Sequence, residues 1–369
     1  MSANFGVNVT ISAEATRPIS VQSNTPIGLV GTSDTLDVGL HFFMSIDDAL
    51  SKCGRGTIKK DLKAINEQAV KTQIILSIYE DDEINTITNA KAAISLFKQA
   101  KAKFDYRPNI LIAPGLSGED AIKMELESVA NSLKATAIID LNAESSVDAI
   151  AKMRDFGSKR LIAAYPYVKT WDGELNSYEY TPQSARIAGM IAKTDGESEF
   201  GYSDSYSNRI MLGIAGTKGD IYYEMGESCE ADELRKAHIS TIIREQGFRT
   251  WSGETSDADT IWQDLARVRI FDRISEAAQK GVFFAIDRKA DELYFAKQSV
   301  EELLRGLKGA KVLLGYELSW SEKNTKATIT AGKFYLDVRM QNNPIVKQLT
   351  LDFIYTDKFG DELMSMLSV

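Results

Sequence analysis

The chain has 369 residues, 44% hydrophobic and 26% charged, with a formal net charge of -9. That length allows about two domains at roughly 150 residues each, and the composition is that of an ordinary globular protein rather than a disordered one. The acidic balance argues against a nucleic-acid-binding surface, which needs clustered Lys and Arg, and no apolar run reaches the ~18 residues of a membrane-spanning helix.

In chain order, GVNVTISAEATRPI comes first. Val7, Val9, Ile11 and Ala13 alternate with Asn8, Thr10, Ser12 and Glu14, the pattern of a strand with one buried face. Pro18 and Pro26 flank the polar run VQSNT and favour extended backbone. About 20 extended residues reach roughly 65 Å, enough to leave the parent domain. IGLVGTS and QIILSIYE read as buried strands, and EDDE as a solvated loop. A regular alternation follows: helix NAKAAISLFKQAKAK, strand NILIAPG, helix GEDAIKMELESVANSLK, strand ATAIIDL, helix SVDAIAKMRDF capped by Ser146, strand RLIAAY, and helix TPQSARIAGMIAKTD with Pro182 in its first turn. Ile122, Leu126, Val129 and Leu133 share one face of the second of these helices. Such alternation predicts βαβ units and a largely parallel sheet.

Beyond that, SCEADELRKAHISTIIREQG reads as one helix ending at Gly247, with His238 on its face, and IYYEM before it as strand-like. TIWQDLARVRIFDRISEAAQK and KQSVEELLRGLKGAKVL read as long helices. The first interleaves Arg267, Arg269 and Arg273 with apolar residues, an amphipathic pattern rather than a phosphate track. Three strand-like runs close the chain: YELSWSE, GKFYLDVRMQ and KQLTLDFIYT. In the last, Leu349, Leu351, Phe353 and Tyr355 alternate with Thr350, Asp352, Ile354 and Thr356. The fold class expected is an α/β body of βαβ type followed by an α+β module, with a strand at each chain end that has almost nothing beyond it to pair with.

Residues for chemistry are sparse. The two histidines, His41 and His238, make no spaced metal motif, and Cys53 and Cys229 match no metal or redox spacing. No HExxH, GxSxG or CxxC occurs. Gly213, Gly216 and Gly219 form GxxGxxG, which is neither a dinucleotide fingerprint nor a phosphate loop. At APGLSGED an anion would meet Glu119 and Asp120 in the first helical turn. Asp195, Glu197 and Glu199 sit in TDGESEFGYSD, which reads as an exposed loop rather than a cation site. No catalytic, cofactor or metal residue is expected, and the weight moves toward assembly.

Several segments, read in order, resemble the tail sheath family of contractile phages and phage-tail-like particles. VNVTISAEATRPISVQSNTPIGLVGTSD is similar to the family's opening. RPNILIAPGLS, from Arg107 to Ser117, is the most specific match, and ATAIIDL follows it at the expected distance. FGSKRLIAAYPYVKTWD, TPQSARIAGMIAKTD and the RIFDRI run resemble further family segments. So does REQGFRTWSGET, where Ser252 stands at a position the family pattern often gives to Gly. The resemblance runs from about residue 6 to 356 and has no landmark between Asp34 and Ala102.

The resemblance implies a structural, non-enzymatic subunit that forms a helical homo-polymer around an inner tail tube protein, meets baseplate and tail-end proteins, and contracts to drive the tube through a cell envelope. It implies neither nucleic-acid binding nor membrane insertion. Location would be the tail of a virion or phage-like particle, assembled in the bacterial host cytoplasm. Terminal strands would be exchanged between subunits, carried by Val7, Val9 and Ile11 at one end and Leu349, Leu351 and Phe353 at the other, with Pro18, Pro26 and Pro344 as hinge candidates. The organisation expected is a 1–22 arm, a 23–250 outer body, a 251–343 inner module and a 344–369 arm. A nucleotide-binding α/β enzyme, a type VI secretion sheath component and a non-contractile filament are the competing readings.

Overall fold

The computed structural model describes residues 19–21, 24–82, 84–154 and 156–367. The predicted strand at Val7, Val9 and Ile11, and the hinge candidate Pro18, lie outside the described residues. Strands are β1 Ile27–Gly31, β2 Gly39–Phe43, β3 Ile74–Ile78, β4 Ile110–Ile112, β5 Thr136–Asp140, β6 Leu161–Ala164, β7 Val168–Asp172, β8 Ser177–Thr181, β9 Gly216–Thr217, β10 Ile239–Arg244, β11 Phe248–Trp251, β12 Leu313–Trp320 and β13 Leu336–Asn342. Helices are α1 Ile46–Lys52, α2 Thr57–Asn66, α3 Thr86–Leu96, α4 Ala100–Phe104, α5 Asp120–Leu133, α6 Ser146–Met153, α7 Ser184–Gly196, α8 Glu230–Lys236, α9 Leu265–Gly281, α10 Glu292–Gly309, α11 Lys326–Thr330 and α12 Gly360–Leu367.

An eight-stranded sheet in the order β11-β10-β6-β5-β4-β1-β3-β2 forms the body. Its inner pairs are parallel, whereas β2 and β11 run antiparallel at the two edges. Strand alternation divides the core. Leu29, Ile74 and Leu76 face Leu62 and Ile65 of α2 and Ile187 and Ile191 of α7. Val30, Ile75 and Leu111 face Ile94 of α3 and Leu126 and Val129 of α5 on the other side. Burial on both faces explains why these strands read as continuous apolar runs. The α5 face expected from Ile122, Leu126, Val129 and Leu133 is the buried one. A Cβ at Gly189 of α7 would stand 2.9 Å from the Ile65 carbonyl oxygen, so α2 and α7 approach more closely than any side chain would allow.

A separate core follows the body. Ile270, Ile274 and Ala277 of α9 pack with Val300, Leu304 and Leu307 of α10 and with Tyr316, Leu318 and Met340 of the β12–β13 ribbon. Ile19 and Val21 lie against the same core, so the chain enters the body along the α9–α10 pair.

Some expectations are corrected. The single helix expected up to Gly247 is instead α8, ending at Lys236, followed by strand β10. His238, with φ of +60°, turns the chain between them and lies on no helix face. The β-branched run of Ile239, Thr241, Ile242 and Ile243 then favours a strand. Ser145, not Ser146, caps α6, accepting from the Asp148 amide at 3.2 Å. Ser146 instead donates to the Glu230 carboxylate. Pro182 precedes Gln183, the cap of α7, and so stands outside the helix. IYYEM forms no strand. Edge strand β2, helices α1 and α2, and the β7–β8 hairpin were not foreseen.

Candidate functional site: the C-terminal segment and its anchorage

The run KQLTLDFIYT forms no strand within the chain. Its apolar residues face solvent: Leu349 is 77% exposed, Leu351 66% and Phe353 93%. Alternating apolar residues that stay in water mark a surface meant for another molecule. Helix α12 continues the pattern, with Leu363, Met366 and Leu367 exposed. The β12–β13 ribbon is a two-stranded sheet, so among the described residues both of its outer edges are unpaired. The ribbon is held by its packing on α9 and α10, and unpaired edges of this kind accept further strands.

The root of this segment is fixed. Asn342 is buried and accepts from Arg267 Nε at 2.9 Å, while the Asn343 amide donates to the Val312 carbonyl at 2.9 Å. Pro344 follows at once and is exposed. Lys347 Nζ then reaches the Glu254 carboxylate at 2.6 Å, and the other oxygen of Glu254 takes His238 Nδ1 at 2.9 Å. Burial alone would raise the Glu254 pKa, but the bonds from His238 and Lys347 outweigh it and hold it at about 2. Glu254 belongs to the TWSGET stretch. Ser252 there has φ of +147°, a conformation natural to Gly, although it carries a side chain and is fully buried. Ser252 thus adopts a backbone conformation that would account for glycine at this position in the resembling pattern.

At the N-terminal side, Pro26 leads directly into β1, and its carbonyl accepts from the Asn109 amide at 2.8 Å. Just before it lies a buried ionic centre. Asp195, expected in an exposed loop, is 0% exposed at the end of α7. It receives both Nη groups of Arg269 (Nη1 at 2.8 Å) and the hydroxyl of Thr25. Arg273 Nη2 donates to Thr25 Oγ1 at 2.8 Å and to the Asn24 carbonyl at 3.1 Å. Two of the arginines expected on a polar helix face are therefore turned inward: Arg269 pairs with a carboxylate 74 residues away and Arg273 lies beside it, whereas Arg267 bonds Asn342. Burial pulls the Arg273 pKa down to about 10.

The body holds one cleft with charged walls, about 380 Å³, lined by Asp61, Lys60, Lys63, Glu67, Trp171 and Arg186 among others. It lies by Pro114 and Gly115, at the carboxyl end of β4. That is where open α/β sheets bind ligands. Its cations are already matched: Lys60 to Glu179 at 2.8 Å, Lys63 to Glu174 at 3.0 Å and Arg186 to Glu67 at 2.6 Å. At its base Asp140 is buried, accepts from the Ser184 amide at 2.9 Å and from Ser117 Oγ at 3.2 Å, and burial lifts its pKa to about 6. Asp61 is raised well above the usual range by desolvation and by the Asp140 charge. With these three cations already paired to carboxylates, a phosphate entering the cleft would have to displace a carboxylate to reach any of them. Gly216 is taken up in β9, paired with β7, and no helix follows Gly219. Among the described residues no group of three or more His, Cys, Asp or Glu side chains is placed to hold a metal ion.

Comparison with known proteins agrees with the order of segments. The model of the phage tail sheath protein central domain matches residues 85–256. A putative prophage major tail sheath protein of Pseudomonas aeruginosa (strain UCBPP-PA14) is 30% identical over 280 positions, covering 75% of this chain and 72% of that one. The tail sheath protein of Escherichia phage P2 is 25% identical, covering 99% of this chain and 98% of its own. Among solved structures, the helical sheath of the anti-feeding prophage in its contracted state superposes with a TM-score of 0.73 at 18% identity, covering 96% of this chain and 100% of that one. The sheath of an extracellular contractile injection system, also contracted, gives 0.72 at 16% identity, covering 97% and 99%. Segment order, the α/β body with its attached ribbon, and kinship along most of the chain agree: this chain belongs to the phage tail sheath protein family.

Proposed function

We propose that the chain is the structural subunit of a contractile sheath, polymerising with copies of itself into a helical tube around an inner tail tube. Contraction drives the inner tube through a cell envelope, and the baseplate receives the end of the sheath. The particle is a phage tail or phage-like tail put together in the host cytoplasm. The single observation that carries this reading is the alternating, solvent-facing segment around Leu349, Leu351 and Phe353 beside a ribbon with unpaired edges. Strand addition between chains would join them: main-chain hydrogen bonds supply affinity and alternate side chains supply specificity. A head-to-tail contact of this sort that does not close on itself gives an open helix. Burying each of those side chains is worth roughly 1.5–3 kcal/mol. The strand at Val7, Val9 and Ile11 would enter the same shared sheet from a further neighbour. No nucleotide is needed: an extra ~200 Å² of apolar area buried per subunit on contraction yields at most about 5 kcal/mol, multiplied along the helix.

Negative-stain electron microscopy of Leu351→Pro tests the reading. Proline removes one ladder donor in mid-strand. The expected product is folded, unpolymerised protein where the parent chain forms tubes of uniform width. Normal tubes from the variant would reject strand addition at this segment.

A further inference from the structure

The GFRTWSGET stretch was picked out by resemblance, yet polymerisation as described assigns it no task. Its structure supplies one. Pro344 stands between two anchors on the body: Asn343, bonded through its amide to Val312 and through its side chain to the Lys311 carbonyl at 3.1 Å, and Lys347, bonded to Glu254. Four residue steps span at most about 14 Å, so with both anchors made this strap cannot swing. From residue 348 to 359, among the described residues, no hydrogen bond to the body follows.

We propose that Glu254 and Lys347 form a clasp that sets the direction in which the C-terminal segment leaves the body, and that the Pro344 joint turns only when the clasp is open. This rests on the reading of that segment as an intersubunit arm. Three features favour a clasp that opens over a permanent rivet. Glu254 is rigidly held: its side chain is 10% exposed and its residue bridges Asp264. Lys347, at 46%, is solvent-accessible and leaves without opening the core. When it leaves, His238 Nδ1 stays bonded to the other carboxylate oxygen at 2.9 Å, so opening forfeits one charge-assisted bond and does not strip the carboxylate of hydrogen-bond partners. A socket of about 190 Å³, bounded by Ser207, Trp251 and Glu254 on the body and Ile345 and Leu349 on the strap, surrounds the pair. Glu254 is thus a positioning residue for the arm.

The test uses the full chain, kept dilute enough to remain monomeric, with spin labels at Thr350→Cys and Lys236→Cys; the native Cys53 and Cys229 are buried. Pulsed electron–electron resonance reads the distance between labels. A narrow distribution is expected in the parent. Lys347→Met should raise the undocked population about tenfold. Lys347→Arg should restore the narrow distribution. Glu254→Gln should behave as Lys347→Met, and because Lys347 is exposed the test survives misfolding of the Glu254 variant. A parent distribution already broad, or one unchanged by Lys347→Met, overturns the clasp. Failure of the parent to form tubes at high concentration counts against the arm reading instead, and leaves the distance result standing.

Discussion

Ser252 permits a prediction with a worked sign. Its φ of +147° places a β-carbon where Gly is at ease. Holding a non-Gly residue in a sparsely populated backbone region costs on the order of 1–3 kcal/mol. Ser252→Gly recovers this. It also loses the hydroxyl that accepts from the Glu254 amide at 3.3 Å, worth roughly 0.5–1 kcal/mol at that length. The unfolded chain gains freedom worth about 0.5–1 kcal/mol. The net is a change between about -1 and +2 kcal/mol. Ser252→Ala keeps the strain and loses the same bond, so it falls by about 0.5–1 kcal/mol. The decisive quantity is the difference between the two variants, in which the lost bond cancels, with Gly above Ala by up to about 2.5 kcal/mol. Chemical denaturation at unchanged m-value measures it as a shift of midpoint. An Ala variant equal to or more stable than the Gly variant would refute the argument, because relief of backbone strain is the one term that separates them in that direction.

Two further outcomes follow from buried carboxylates. Asp195→Asn removes the charge that two buried guanidinium groups face, and should cost about 3–5 kcal/mol in denaturation measurements; a loss below about 1 kcal/mol would show the cluster to be well hydrated. Asp140 has its pKa raised from 3.8 to about 6, so the folded state holds this proton more tightly than the unfolded one. Its stabilising contribution is complete below pH ~4 and is lost as pH rises through about 6, a change on the order of 3 kcal/mol. Asp61 acts in the same direction, whereas Glu254, held at about 2, opposes it only in more acidic solution. Asp140→Asn should therefore flatten the melting temperature between about pH 4 and 6, as followed by calorimetry; an unchanged pH profile would assign the dependence elsewhere.

The elements legible in the sequence were those whose signal is local. Apolar runs stopped by Pro114-Gly115 or flanked by amphipathic helices gave β4, β5, β6 and their partners, because period and punctuation lie within a dozen residues. β10 was hidden since Leu234, Ile242 and Ile243 continue a helical spacing past a turn that only the φ of His238 reveals. Asp195 looked solvated because its partners Arg269 and Arg273 are remote in sequence, and no periodicity reports a charge that is paired across the fold. In the β7–β8 hairpin Tyr178 and Tyr180 do alternate with Ser177, Glu179 and Thr181, but the run is only five residues long and its aromatic face, like Trp171, points to solvent rather than to a core. At the C-terminal segment the residues alternate as in a strand but form none within the chain, because a pattern tells only that one face seeks cover, not which molecule provides it. Glu254 carried no signal beyond its place in a resembling stretch.

The buried ionic centre also has a mechanical meaning. Residues 19–21 lie against α9 and α10, with Ile19 filling the space beside Gly281, and the chain then passes Asn24 and Thr25 into β1. Tension applied from the N-terminal side therefore does not fall first on the sheet. It meets Arg273 at Asn24 and Thr25, passes to Asp195 and Arg269, and is shared between α7 and α9 before β1 can be peeled. Load enters an interior strand of the eight-stranded sheet, bonded on both sides by β3 and β4, so yielding requires a row of hydrogen bonds to shear together rather than to unzip singly. Under the proposed strand exchange, that end would carry the pull of a neighbour into this centre, and in single-molecule pulling Asp195→Asn should give way at lower force.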